Sequence, residues 1–372
     1  MKSVGILTMH KVINYGSALQ AYATQQTIEK LGYKAELIDY IYPNVQHKKK
    51  HRKNRIKQVL QFFLHLLQGF PYKHKLESFQ RFWEHNFKLS TQTYNSSKEL
   101  ADNPPTYDIY VAGSDQIWNP RHIVGDSTFL LSFVPEGKKC ISYASSFAQS
   151  SIDEDSSLSV SKNLKRLSTI SVREKNGAKI IKELLNREAN VCLDPTLLLK
   201  QEDYSFLEKQ SSIHIDEPYI LVYILQYAYN PYPYATQFIK EAHKQTGMKV
   251  VCLDFSAKQR LGIKNMTHLH DSVGPNEFVS LFTHAAMVIT TSFHGTAFAL
   301  NFGKSVYSLV NDKSTSDDRM KSLLDLCGVS ERAIRMNSDM PKFTTSIDKV
   351  LISQNLGELR EESMNYLKEN LN

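Results

Sequence analysis

Long apolar runs are missing from this 372-residue chain. No window reaches the roughly 18 uninterrupted apolar residues that a spanning helix needs. The apolar stretch within residues 1–10 is too short for a signal peptide and turns polar without a small-residue cleavage site. Cysteine is scarce too: Cys140, Cys192, Cys252 and Cys327 stand far apart with no C-x-x-C pair. That spacing argues against a disulfide framework and against a cysteine-based zinc site. These absences predict a cytoplasmic protein that is soluble or rests on a surface. The loop after the first predicted strand lacks the phosphate-cradling G-x-G-x-x-G pattern, and no G-x-S-x-G elbow is present. A nucleotide site in that loop and a serine-nucleophile hydrolase therefore both lack support. Internal repeats and low-complexity tracts are absent as well.

Acidic residues are missing from residues 46–57, which hold Lys48, Lys49, Lys50, Arg52, Lys53, Arg55 and Lys57. Those seven cations equal the whole formal net charge of +7, so the rest of the chain is neutral overall. This points to one local basic patch rather than a nucleic-acid-coated surface, and no nucleic-acid recognition motif accompanies it. Next to the patch, Ile56, Val59, Leu60, Phe63, Leu64 and Leu67 form a helical stripe. It either covers the core or, with the patch, rests residues 46–70 on an anionic membrane.

What the chain has is alternation. At this length two domains of roughly 150–200 residues are the default. Apolar runs predict strands over 4–9 and 34–40, separated by a helix over 17–31 that Gly32 ends, a βαβ opening that calls for a parallel sheet. A helical insertion is predicted over about 46–100, including 79–87. Strands follow over 107–112, 140–144, 170–173 and 189–193, with a charged helix over 174–187 and a polar linker over 200–218. A second series then runs strand 219–225, helix 234–246, strand 249–253, helix 277–284, strand 287–290 and helix 296–302. The fold class is therefore α/β, with two Rossmann-like domains, 1–205 and 206–372, facing across a cleft. A long terminal helix over 346–371 is predicted to pack back across the first domain.

The most informative stretch is Thr291-Ser292-Phe293-His294-Gly295-Thr296, at the junction of a strand and a helix. An imidazole there meets free backbone N–H groups and the positive end of a helix dipole, a place to hold an anion and pass a proton beside it. In the first half, strand ends collect Asn14, Tyr15 and Gly16, then Ser114, Asp115, Gln116 and Trp118, then Tyr143, Ser145 and Ser146. A tryptophan among amide and carboxylate groups suits a sugar, whose ring stacks while its hydroxyls are hydrogen bonded. The competing reading is that Trp118 is buried and the polar groups cap helices. Arg173 and Arg319 each either grip a carboxylate or phosphate in a bidentate fork or sit in a structural ion pair, Arg173 with Glu174. His268-Leu269-His270 with His284 lacks a further ligand at matching spacing, so no metal is expected.

Taken in order, these strand ends resemble the polysaccharide pyruvyl transferase family. The resembling pieces are Gly5-Ile6-Leu7-Thr8 with Asn14-Tyr15-Gly16 and Leu19-Gln20-Ala21-Tyr22, Val111 to Trp118, and Ser142 to Phe147. Ser171-Val172-Arg173-Glu174, Asp194-Pro195-Thr196-Leu197-Leu198 and Ser292-Phe293-His294-Gly295 complete the series over about residues 1–330. The resemblance implies an architecture like the B-type glycosyltransferases and transfer of a pyruvyl group from phosphoenolpyruvate to a sugar of a cell-surface glycan or its lipid-linked oligosaccharide precursor. It implies His294 as the catalytic acid. Arg173, Ser292, Gly295, Thr296 and Arg319 would face the donor, and Asn14, Tyr15, Gly16, Asp115, Gln116, Trp118 and Ser145 the acceptor. Characterised members resemble Arg-Leu-His where this chain has Ser292-Phe293-His294, so Arg173 or Arg319 would have to replace the missing arginine. In the implied reaction His294 protonates the methylene carbon of the enol, two sugar hydroxyls attack in turn, phosphate leaves and a cyclic ketal forms. Neither redox cofactor nor metal is called for. A sugar-nucleotide-dependent glycosyltransferase and a non-catalytic glycan-binding member remain as alternatives.

Overall fold

The computed structural model describes residues 1–42, 71–120, 126–149, 151–226, 229–253, 261–264, 266–269, 273–311 and 318–372. The basic patch, the 56–70 stripe and the membrane contact expected of them lie outside these residues. Among the described residues, no helix is long and apolar enough to cross a membrane.

The first sheet is built from β1 (Ser3–Leu7), β2 (Lys34–Tyr40), β3 (Leu89–Tyr94), β4 (Ile109–Ala112) and β5 (Lys139–Ser142) in the order β3-β2-β1-β4-β5. All its pairings are parallel. Between β1 and β2 runs α1 (Tyr15–Lys30), started by the Asn14 side chain, which accepts the Ser17 N–H at 3.1 Å. Gly32, at φ +90°, follows its last turn and donates its N–H to the Glu29 carbonyl, a left-handed position that suits glycine. Short β6 (Ser171–Val172) and β7 (Asn190–Val191) extend this half, with α2 (Lys175–Leu185) between them.

The second sheet runs β10 (Thr267–His268), β9 (Lys249–Cys252), β8 (Tyr219–Tyr223), β11 (Met287–Thr290), β12 (Ser305–Val310) and β13 (Ala333–Arg335). Renumbered within its own half this is 3-2-1-4-5-6, the Rossmann order, and the first sheet follows the same order for its five strands. Every residue of β8, β11 and β12 is buried, as expected where helices cover both faces of a parallel sheet. The two halves share an aromatic seam. Tyr15 stacks on Phe278 at 4.7 Å and meets Tyr223 at 5.8 Å, while its hydroxyl donates to the Val273 carbonyl at 3.1 Å. The terminal helix, α3 (Lys349–Leu371), ties them further: the Tyr366 hydroxyl donates to the Ser142 carbonyl at 2.9 Å, and Arg360 donates to the Leu197 carbonyl and to Asn301.

Several elements differ from the sequence expectation. The insertion contains β3, a parallel edge strand rather than helix, whose polar residues mask it; the Ser90 hydroxyl accepts the Asp39 N–H and helps seat it. The 200–218 stretch includes a helical segment, with Tyr204 and Leu207 buried, and is packed structure rather than a plain linker. The strands β10, β12 and β13 and the helix Asp318–Leu326 lie where the sequence pattern predicts no element. All four cysteines are free and buried.

Candidate active site

In open α/β sheets ligands bind outside the carboxyl ends of the strands, where the strand order reverses. Here that point lies between β1 and β4 in one half and between β8 and β11 in the other, and the chain leaving those strands carries the candidate residues. After β11 comes a helix, Phe293–Asn301, that starts three residues before the expected position because the Ser292 side chain caps it, accepting the Gly295 N–H at 3.3 Å. His294 therefore sits in its first turn, where the dipole favours negative charge.

His294 crosses from the second half to the first. Its ring lies so close to Gly16 that a β-carbon there would be 2.0 Å from Nδ1. Gly16→Ala is thus expected to displace the ring while leaving the fold intact, since a side chain rather than backbone must yield. A misplacement on the order of 1 Å costs about 10²-fold in rate. Turnover compared with melting temperature checks this; an alanine variant of normal rate would show that the ring has other room.

On its other side, His294 Nε2 stands 3.6 Å from Asp194 Oδ2 and has no hydrogen-bond partner despite being buried. Asp194 follows β7, and its Oδ1 accepts from the Thr196 N–H and hydroxyl at 3.0 and 2.7 Å. Its Oδ2 accepts from Arg173 Nη1 at 2.6 Å and from the Ser114 hydroxyl at 3.2 Å. Burial alone would raise this carboxyl, but the charges of His294 and Arg173 and the Thr196 hydrogen bond outweigh it and hold it well below the usual carboxylate range.

Arg173 lies across the ring of Phe293 at 4.5 Å, with Arg319 over the same ring at 5.8 Å. Its Nη2 is 3.9 Å from Asp115 Oδ1 and its Nε 4.0 Å from Glu174 Oε2. Neither nitrogen makes a hydrogen bond, although the side chain is only 1% exposed. Asp115, at φ +72°, accepts the Ser17 hydroxyl at 2.5 Å. Burial would raise its carboxyl as well; His294, Arg173 and Ser17 prevail and keep it low.

The structure thus gathers Gly16, Asp115, Arg173 and His294, with Arg319 beside them. Other expected residues do different work. Trp118 is fully buried against Phe147 and donates its indole N–H to the Phe129 carbonyl, so it presents no face to a sugar. The Ser145 hydroxyl, fully buried, donates to the carbonyls of Ala112 and Gly113. Tyr15 belongs to the seam, Asn14 and Ser292 cap helices, and Gln116 accepts from Asn119 at 3.2 Å. Thr296 donates to the Ser292 carbonyl or shares a proton with Ser308, and Gly295 leaves room for Thr290, whose Oγ1 a β-carbon would meet at 2.4 Å. Asp194 and Ser17 are not among the expected site residues, and Ser114 is expected only as a strand-end polar residue without an assigned role. The position of Asp194 at a strand end was the available signal. Among the described residues, no group of three or more His, Cys, Asp or Glu side chains is arranged to hold a metal.

The class is therefore an α/β protein with two Rossmann-like domains, which bring an arginine, a histidine and buried carboxylates together from their strand ends. The chain belongs to the polysaccharide pyruvyl transferase family, whose model matches residues 14–313. Among solved structures it is similar to the UDP-GlcNAc 2-epimerase of Methanocaldococcus jannaschii, at 13% identity and TM-score 0.51, over 98% of this chain and 93% of that one. A Listeria monocytogenes protein assigned as a UDP-N-acetylglucosamine 2-epimerase aligns at 12% identity and TM-score 0.52, over 99% and 91%. The E. coli ADP-heptose LPS heptosyltransferase II aligns at 12% identity and TM-score 0.40, over 97% and 99%. No protein with a curated description matches in sequence.

Proposed function

We propose that this protein transfers the pyruvyl group of phosphoenolpyruvate to two hydroxyls of a sugar in a surface polysaccharide or its lipid-linked precursor, forming a ketal. One observation carries the reading: the buried nitrogens Arg173 Nε and Nη2 and His294 Nε2 make no hydrogen bond, their nearest carboxylates standing 3.6–4.0 Å away. Buried polar groups without partners are rare in folded proteins, and a ligand rich in acceptors resolves them. A phosphate and a carboxylate on one small molecule do so, with Arg173 forming charge-assisted hydrogen bonds and the helix N-terminus balancing the remaining charge. Family membership supports the same donor-to-glycan chemistry. Arg173, stacked on Phe293, takes the place of the arginine absent at Ser292. His294, flanked by Asp194 and by the donor's own anionic groups, gives its proton to the methylene carbon.

The test is incubation with phosphoenolpyruvate and a panel of hexosides and lipid-linked oligosaccharides, reading phosphate release and product mass. Phosphoenolpyruvate is also expected to raise the melting temperature by binding the folded state. Protection by a nucleoside diphosphate sugar, with none from phosphoenolpyruvate, would sink the reading in favour of glycosyl transfer.

A further inference from the structure

Ketal formation requires a proton acceptor for the attacking sugar hydroxyl, and no residue above fills that role. Three carboxylates face Arg173. Asp194 and Asp115 are engaged by Arg173, Thr196, Ser114 and Ser17, and both are held low, which makes them weak proton acceptors.

Glu174 is placed differently. It stands at the N-cap position of α2, yet its side chain does not cap that helix. Instead Oε1 turns back, accepting from the Ser146 hydroxyl at 2.8 Å and the Ala148 N–H at 3.2 Å. Oε2 is buried and has no hydrogen-bond donor, with Arg173 Nε facing it at 4.0 Å. The residue lines a cavity of about 210 Å³ between the two halves, with Gln149, Lys175 and Asn176 on one side and Arg319 and Ser322 on the other. A cavity walled by a carboxylate, two amides and two cations suits a hydroxyl-rich ligand. Its walls include Arg319, which reaches over the same Phe293 ring as Arg173.

We infer that Glu174 is the base that takes the proton of the first attacking acceptor hydroxyl; the inference rests on the pyruvyl-transfer reading. His294 gives its proton to the methylene carbon, which becomes a methyl group and leaves the neighbouring carbon cationic. The first hydroxyl oxygen bonds to that carbon as its proton passes to Glu174. The bond from that carbon to the phosphate oxygen then breaks. Phosphate leaves with the bonding pair, takes the proton from Glu174 and departs as hydrogen phosphate. The second hydroxyl bonds to the same carbon and returns its proton to His294, so both side chains end as they began.

Glu174→Gln is the test, since its amide oxygen still accepts from Ser146 and Ala148. Relative to the unaltered protein, kcat is expected to fall by about 10²- to 10⁴-fold with KM for phosphoenolpyruvate unchanged. Glu174→Asp restores the carboxylate at shorter reach and is expected to recover part of the rate. A Gln variant within about threefold of the original kcat overturns the inference alone. So does a Gln variant that loses thermal protection by phosphoenolpyruvate along with its rate, because Glu174 would then merely brace Arg173. Absence of phosphate release from phosphoenolpyruvate by the unaltered protein overturns the pyruvyl-transfer reading, and this inference with it.

Discussion

His294→Asn is expected to lower kcat by about 10²- to 10⁴-fold, the range that a positioned general acid contributes. The fold should survive, because the ring is not a hydrogen-bonded strut: Nε2 makes no hydrogen bond, and Asp194, 3.6 Å from it, keeps Arg173 and Thr196 as partners. Binding of phosphoenolpyruvate should survive too, since Arg173 and the helix N-terminus carry it. Steady-state rates and thermal protection, measured together, separate these effects. A variant that turns over normally would remove His294 from the chemistry, and one that loses protection with its rate would make it a binding residue instead.

Asp194→Asn is expected to affect stability most. Arg173 is almost wholly buried, and Asp194 supplies its short ion pair at 2.6 Å. Removing one partner of a buried pair leaves an uncompensated charge and typically costs about 3–5 kcal/mol. Asp115 and Glu174, at 3.9 and 4.0 Å, offset part of that. Urea unfolding reads the loss as a lower midpoint at unchanged slope.

The pH dependence has a definite sign. The folded carboxyls of Asp194 and Asp115 are held below their unfolded values, so the unfolded chain binds protons first as pH falls. Their contribution is complete above an unfolded value of about 3.9 and is lost progressively as pH drops through the folded values. Asp194→Asn should therefore flatten the acid limb of the stability profile as well as lower its plateau. An acid limb equal to that of the original protein would show that Asp194 is not held low.

Much of the frame was legible in the chain. The spans 34–40, 234–246 and 287–290 match β2, the helix Tyr234–Thr246 and β11, because apolar period and cap signals are local properties. The strand β3 was not legible: its exposed residues are polar, and its pairing comes from an edge formed by residues about fifty positions earlier. Within the site, the position of His294 after a strand was readable. Trp118 misled, because an aromatic residue among polar neighbours reads alike whether it faces a cleft or the core.

By itself, the sequence determined the alternation of strands and helices, the short junctions that end the strands and the histidine on one of them, since each depends on neighbours within a few residues. Only the tertiary structure decided that Gly16 would abut His294, that Asp194 would hold Arg173, and that Phe293 would lie beneath two guanidinium groups. Arg173 and Asp194 meet because β6 pairs with β7, and Gly16 and Arg173, far apart in the chain from His294 and Phe293, meet them where the two halves dock.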